Sequence, residues 1–227
     1  MNLQEHRQRA AALSGGTSNS NIKELVIRLL EAGRAQGPLL DFGAGQGELL
    51  RHFATIGLGR PLSGADIAGR PATLPDEVEW FTQDLNEPLR IGKRFGTVVC
   101  SETIEHLENP RQVFRNLAEL LVPGGTLVLT MPNQECIRSY VGLILGGHFT
   151  HFLGTTYPAH ITALLRMDLQ RLCGESGFEP PVFAYTGDGG IPKIPRISWQ
   201  AVSFGLLKGR LFSDNVGMVT RRVPASK

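Results

Sequence analysis

An α/β fold, with a mostly parallel sheet covered by helices on both faces, is predicted by three features of the sequence. From residue 38 onward, short apolar runs of strand length alternate with stretches of helical period. The run Leu39-Leu40-Asp41-Phe42 passes directly into Gly43-Ala44-Gly45-Gln46-Gly47 and then into a helical pattern. The 227 residues, 41% hydrophobic and 19% charged, suffice for a single domain with a full core, which excludes bulk disorder.

The elements follow in order. Residues 1–21 include Ser14-Gly15-Gly16-Thr17-Ser18-Asn19-Ser20 and read as a flexible lead-in. Ile22, Leu25, Val26, Leu29 and Leu30 recur at helical spacing, and Gly33 and Gly37 close that helix. Residues 39–42 read as a buried strand, and 48–56 as a helix with Leu49, Leu50 and Phe53 inward. Strands are expected over 61–67, 78–81 and 95–100. Asn109-Pro110 starts the next helix, with Asn as N-cap and Pro at the first helical position. Its apolar face is Val113, Phe114, Leu117, Leu120 and Leu121; Pro123-Gly124-Gly125 ends it and a strand follows over 126–131. A helix over 167–173, closed by Gly174 and Gly177, precedes late strands at 182–185 and 215–220. Two stretches break the rhythm. Residues 133–161 lack a clear regular pattern and read as a lid or substrate insertion; 187–214 form a second insertion with a helix expected around 197–207. All of this belongs to one domain, 1–227.

Composition narrows the function. Lys+Arg is 23 and Asp+Glu is 21, too even for general nucleic-acid binding. Cys100, Cys136 and Cys173 form no CxxC pair and, being odd in number, no disulfide framework. A reduced, cytoplasmic setting is expected, since the start of the chain lacks a signal-peptide pattern and no apolar run is long enough to span a bilayer. Whether the chain is a monomer or a homodimer is left open. The 27 glycines are about 12% of the chain against a usual ~7%, so the backbone turns often or approaches something closely.

The glycine turn at 43–47 is the place for such an approach. In open α/β sheets, ligands lie beyond the carboxyl ends of the strands. Dinucleotide sites use GxGxxG, with pyrophosphate at the helix N-terminus. Here the third glycine comes one residue early, and Asp41 stands two residues before the first. A carboxylate so placed opposes a pyrophosphate and suits a ligand bearing an ammonium or sulfonium. No GK[ST] follows, so a P-loop is excluded.

With that loop, the sequence resembles the class I S-adenosylmethionine (SAM)-dependent methyltransferases. It is most similar to their small-molecule, type 11/23-like branch. Further motifs fall in order: Gly64-Ala65-Asp66-Ile67, Gln83-Asp84-Leu85, the run from Phe95 through Ser101-Glu102-Thr103-Ile104-Glu105-His106-Leu107, and Leu120-Leu121-Val122-Pro123-Gly124-Gly125. The resemblance covers about 39–178 and implies a Rossmann-like class I methyltransferase fold: a seven-stranded, mostly parallel sheet with an antiparallel last strand. It implies SAM as cofactor and S-adenosylhomocysteine as product. Asp41, Gly43, Ala44, Gly45, Gly47, Asp66, Ile67, Asp84, Leu85 and Ser101 are the implied cofactor-binding residues, Asp66 toward the ribose hydroxyls and Asp84 toward adenine.

Methyl transfer to a hydroxyl requires alignment and removal of a proton. His106, His160 and Glu102 are the candidate catalytic residues. His148 and His151 form HxxH in the first insertion and read as exposed loop residues; His6 and His52 read as surface residues. Glu102, Glu105 and His106 form ExxEH, which would share one face of a helix. With His151 or His160 they have the donor chemistry for a divalent metal. The segment also resembles the ExxEH of small-RNA 3′-end 2′-O-methyltransferases and of ubiquinone-biosynthesis O-methyltransferases. A metal is nevertheless not the favoured reading, because the same letters occur where a structural role is expected.

The leading expectation is a methyltransferase acting on a small-molecule oxygen, the hydroxyl of a natural product, sugar, quinol or lipid-linked compound. No (D/N)PPY pattern follows the fourth strand, which disfavours amino groups such as those of adenine. The alternatives are a metal-assisted RNA 2′-O-methyltransferase, a non-catalytic SAM-binding module, and an NAD-dependent oxidoreductase.

Overall fold

The central strands are β1 (Leu39–Phe42), β2 (Leu62–Asp66), β3 (Glu79–Thr82), β4 (Phe95–Ser101), β5 (Leu121–Pro132), β6 (Val182–Tyr185) and β9 (Asn215–Arg221), with a separate hairpin of β7 (Gly190–Ile191) and β8 (Ile194–Ser198). The helices are α1 (Leu3–Leu13), α2 (Ser20–Ala32), α3 (Glu48–Ile56), α4 (Pro110–Leu120), α5 (Ile137–Gly146), α6 (Arg166–Glu175) and α7 (Trp199–Val202), with a 3-10 turn at Ile104–His106. They are taken from a computed structural model that describes residues 3–16 and 19–224. The seven strands form one sheet in the order β3-β2-β1-β4-β5-β9-β6. Every pairing from β3 to β5 is parallel, and β9 runs antiparallel to both β5 and β6. The expected seven-stranded sheet with its antiparallel last strand is what the chain forms.

Alternation along the strands assigns side chains to two cores. Leu39, Val99 and Val128 join Leu25, Leu29, Leu50 and Phe53 of α2 and α3. Leu40, Val98 and Leu127 join Phe114 and Leu117 of α4 and Leu169 and Cys173 of α6 on the opposite face. Each fully buried Leu or Phe contributes about 1.5–3 kcal/mol of transfer free energy. Caps fix where the helices start. Asn19 Oδ1 accepts from Ile22 N at 3.0 Å, and Asn109 Oδ1 from Gln112 N at 3.2 Å with Pro110 at the first turn. The strand order reverses at β1, between β2 and β4, so a crevice opens beyond their carboxyl ends.

Four local expectations are corrected. The segment read as a flexible lead-in carries helix α1; Thr17 and Ser18 lie outside the described residues. The first insertion holds α5, whose apolar residues Tyr140, Leu143, Ile144 and Leu145 are exposed while Ser139 is buried. In the second insertion the helix shrinks to Trp199–Val202, after a hairpin. Strand β5 begins at Leu121, not at 126, because its exposed start passes through Pro123-Gly124-Gly125 before pairing fully with β4.

Gly174 lies inside α6 rather than closing it; Gly177, with φ +76°, makes the left-handed turn beyond its end. A methyl on Gly174 would meet open space, whereas one on Gly217 of β9 would lie 2.6 Å from Leu29 Cδ1 of α2. Gly174→Ala is therefore expected to stabilise the fold by about 0.5–1 kcal/mol. Gly217→Val should destabilise it by about 1–3 kcal/mol. Urea unfolding of both variants checks the pair.

Candidate active site

A cavity of about 1010 Å³ opens at the carboxyl ends of β1, β2 and β4. Its floor is the glycine loop. Gly43 N and Ala44 N donate to Ala65 O, at 2.8 and 3.2 Å, which ties the loop to β2. Gly43 has φ +85°, and a methyl there would lie 2.3 Å from the Thr103 side chain. Gly45 has φ +49°, and a methyl there would lie 2.6 Å from Gly16 O, the same carbonyl that accepts from Gln46 N at 3.0 Å. Both positions need glycine for conformation and for room. Gly47, at φ +69°, is the N-cap of α3.

Three acids surround this loop. Asp41 is buried and forms no hydrogen bond among the described residues. Burial, with the charge of Asp66 adding to it, pushes its carboxyl up to about 7. Asp66 Oδ2 accepts from Gly45 N at 2.9 Å and its Oδ1 from Ala68 N at 2.9 Å, which holds the carboxylate at the strand's end. Asp84 Oδ1 accepts from Asn86 N at 3.0 Å, and its Oδ2 pairs with Arg7 Nη1 at 2.9 Å. Ile67 and Leu85 line the cavity beside them, and Ser101 Oγ is 2.9 Å from Thr130 Oγ1.

The histidine side is equally enclosed. His106 Nδ1 is 2.8 Å from Ala159 O, and His160 Nδ1 is 2.7 Å from His151 O. A ring nitrogen facing a carbonyl carries the proton, so each imidazole keeps Nε2 as its basic atom. The two rings meet edge to face at 4.8 Å between centroids. Burial lowers His106 to about 4, despite its bond to Ala159 O, and lowers His160 too. Glu105 Oε1 lies 4.0 Å from His106 Nε2, and burial holds this carboxyl well above its usual range. Glu105 Oε2 is buried without a hydrogen-bond partner among the described residues.

The ExxEH run does not present one helical face. Only Ile104–His106 is helical, and Glu102 sits before it at φ +49°. Its Oε2 accepts from Asn215 Nδ2 of β9 at 2.8 Å, while burial pushes the carboxyl up to about 7. Glu105, His106 and His160 therefore form the cluster of metal-type donors, their ligand atoms within 4.8 Å of one another, and Glu102 and His151 are outside it. His151 is not an exposed loop residue: its Nε2 is buried with no hydrogen-bond partner among the described residues, and burial lowers it to about 4. His148 is half-buried, and His6 lines the cavity. Burial pushes all three cysteine thiols up, Cys173 to about 12, which leaves no activated nucleophile among them.

The sequence did not disclose Arg7. From α1 it reaches Asp84, Glu87 at 2.8 Å and Glu108 at 2.5 Å, closing the cavity rim across two loops. Thr103, Gly16 and Asn215 were missed as well. Their partners lie far away in sequence, and no local pattern marks them.

Residues 3–180 match the family model described as a methyltransferase domain. The chain belongs to that family. With its sheet order, this gives it the class I methyltransferase fold. The ubiquinone biosynthesis O-methyltransferase of Coxiella burnetii is 28% identical over 117 residues, 49% of this chain and 50% of that one. The chain spans about half the length of the curated relatives it matches. Among solved structures, a SAM-dependent methyltransferase from Archaeoglobus fulgidus superposes with a TM-score of 0.62 at 17% identity, covering 92% of this chain and 96% of that one. N-methyltransferase NodS from Bradyrhizobium japonicum, in complex with S-adenosylhomocysteine, superposes with a TM-score of 0.57 at 15% identity, covering 98% and 99%. These two likenesses speak to the fold.

A carboxyl raised from an ordinary ~3.9 to about 7 on folding stabilises the fold fully only below about pH 4. That contribution is lost as pH rises to 7, because the unfolded chain releases the proton first. Asp41→Asn is thus expected to make the ligand-free methyltransferase more stable than wild type at pH 8, by on the order of 2–4 kcal/mol, with the gap closing toward pH 4. Chemical unfolding across that range measures it; a difference flat in pH would place Asp41 at its ordinary value.

Proposed function

We propose that this methyltransferase methylates a hydroxyl oxygen of a small molecule, with His106 Nε2 receiving the hydroxyl proton. The observation that carries this reading is the pair of enclosed imidazoles at the carboxyl end of β4. Each has its Nδ1 proton fixed on a carbonyl, and Glu105 lies beside His106. The Coxiella relative bears the name of an O-methyltransferase, and NodS that of an N-methyltransferase. Fold alone therefore does not choose the acceptor atom, and the reading rests on the site.

The residues fit SAM. The Gly43–Gly47 backbone leaves room for it, Asp66 and Ile67 would hold its ribose, and Asp84 and Leu85 its adenine, with Ser101 on the β4 side. Bound there, SAM supplies a methyl group on a sulfonium. Asp41 would supply the negative charge that a cationic cofactor needs. Arg7 holds Asp84 in place from α1. Glu102 braces the turn after β4 against Asn215, acting as a positioning residue. His160 packs on His106 and fixes its ring.

The buried His106 imidazole, lowered to about 4, is a weak base. Weak bases suit acidic hydroxyls, so a phenol or enol fits this site better than an aliphatic alcohol. The near-even charge of the chain favours a small acceptor over an RNA backbone.

Two outcomes follow. His106→Asn should lower kcat for a phenolic acceptor by about 10²–10⁴-fold, with SAM affinity changed by less than about threefold and wild-type turnover persisting in a chelator. S-adenosylhomocysteine release measures turnover, and undiminished kcat in the variant would reject His106 as the base. SAM affinity should weaken as pH falls below about 7, by up to tenfold per pH unit, because Asp41 must give up its proton to face a cation. Asp41→Asn should flatten that dependence in calorimetric titrations.

A further inference from the structure

Residues 190–211 carry a surface that the methyltransferase site does not use. The segment leaves the sheet after β6 and returns at β9, folding on itself. Gln200 holds it together: its Oε1 accepts from Gly189 N, and its Nε2 donates to Leu207 O and Phe212 O, both at 2.9 Å. Trp199 packs edge to face on Phe212 beneath. At the outer tip, Phe204 is 95% exposed and Leu206 84%, with Val202, Ile194 and Ile197 also exposed. Phe204 has φ +51°, a conformation bulky residues rarely adopt. A strained turn that presents an aromatic ring to solvent serves no purpose in the core.

The charges around this tip are of one sign. Residues 190–211 contain Lys193, Arg196, Lys208 and Arg210 and no acid, a net +4; the whole chain is +2, so the remainder is −2. Lys193, Arg196 and Lys208 are exposed and form no ion pair among the described residues. Among the described residues, Arg210 alone of the four forms an ion pair, with Glu135 at 3.8 Å. The Lys208 stem comes close to Gly205, beside Phe204.

We propose that segment 190–211 docks the protein on an anionic lipid surface, with Phe204 and Leu206 entering the interface and Lys193, Arg196 and Lys208 on the headgroups. Exposed aromatic and aliphatic side chains ringed by cations are what such an interface binds. A protein partner would need matching acids and a shaped pocket for Phe204. A lipid surface needs only negative charge and depth. The proposal does not depend on the acceptor reading above.

Flotation of the full chain with vesicles tests it, comparing phosphatidylcholine alone with phosphatidylcholine mixed with phosphatidylglycerol. Binding is expected only to the mixed vesicles and should weaken as salt is raised. Each of Lys193→Gln, Arg196→Gln and Lys208→Gln should weaken it about fivefold. The double variant Phe204→Ser, Leu206→Ser should weaken it about tenfold or more. The wild-type melting temperature and SAM affinity should be retained throughout, which separates failure to dock from failure to fold. Failure of wild type to bind mixed vesicles overturns the proposal, as does binding that the variants leave unchanged. Self-association of wild type that the double variant abolishes, without vesicle binding, would assign the surface to a second copy of the chain.

Discussion

Asp41 sits where the strand order reverses, near the end of a strand flanked on both sides by parallel neighbours, and its side chain has no hydrogen-bond partner among the described residues. A lone carboxyl in such a place costs stability whenever it is ionised. The elements around it are arranged to keep it there. Gly43 and Gly45 turn the chain immediately above it, and β2 accepts the loop's first two N–H groups. Asp66 then takes the next free N–H, which spends one of its oxygens on the loop rather than on solvent. The loop, the second acid and the cavity surround this one buried group, and a cation is the ligand that would relieve its cost.

Burial acts on the histidine side in the same direction. Burial raises Glu102 and Glu105 and lowers His106, His151 and His160, so every group there is driven toward its neutral form. Neutral groups are cheap to enclose, and carbonyl partners at Ala159 and His151 settle the tautomers of His106 and His160. The cavity thus has one wall poised to carry charge and another poised to hold or move a proton. That division suits a reaction in which a cationic cofactor and a neutral acceptor meet.

What the sequence disclosed was local. Strand–glycine–helix spacing, the acids at the ends of β2 and β3, and the Asn109-Pro110 cap are short-range patterns, and each landed where expected. The contacts that complete the site span long separations. Arg7 meets Asp84, 77 residues on, and Glu108, 101 residues on; Glu102 meets Asn215, 113 residues on. The shared face of ExxEH, expected only if the segment is helical, is not formed for a different reason. It needs a continuous helix, whereas Glu102 has a positive φ and the helical piece is three residues long. Spacing predicts a shared face only when the backbone between is regular.

The two halves of the sheet divide the work accordingly. The parallel half, β3 to β4, ends in the glycine loop and the acids that line the cavity. The antiparallel edge and the segments 133–161 and 187–214 lie on the other side of the sheet order. Asn215 at the start of β9 connects the halves, since its side chain sets Glu102 at the head of the histidine turn. Asp214, one residue earlier, binds Arg138 of α5 and the N–H of Gly190, so the same short stretch anchors both insertions. A displacement of either insertion would reach the β4 turn through residues 214 and 215, by way of the hydrogen bond from Asn215 to Glu102.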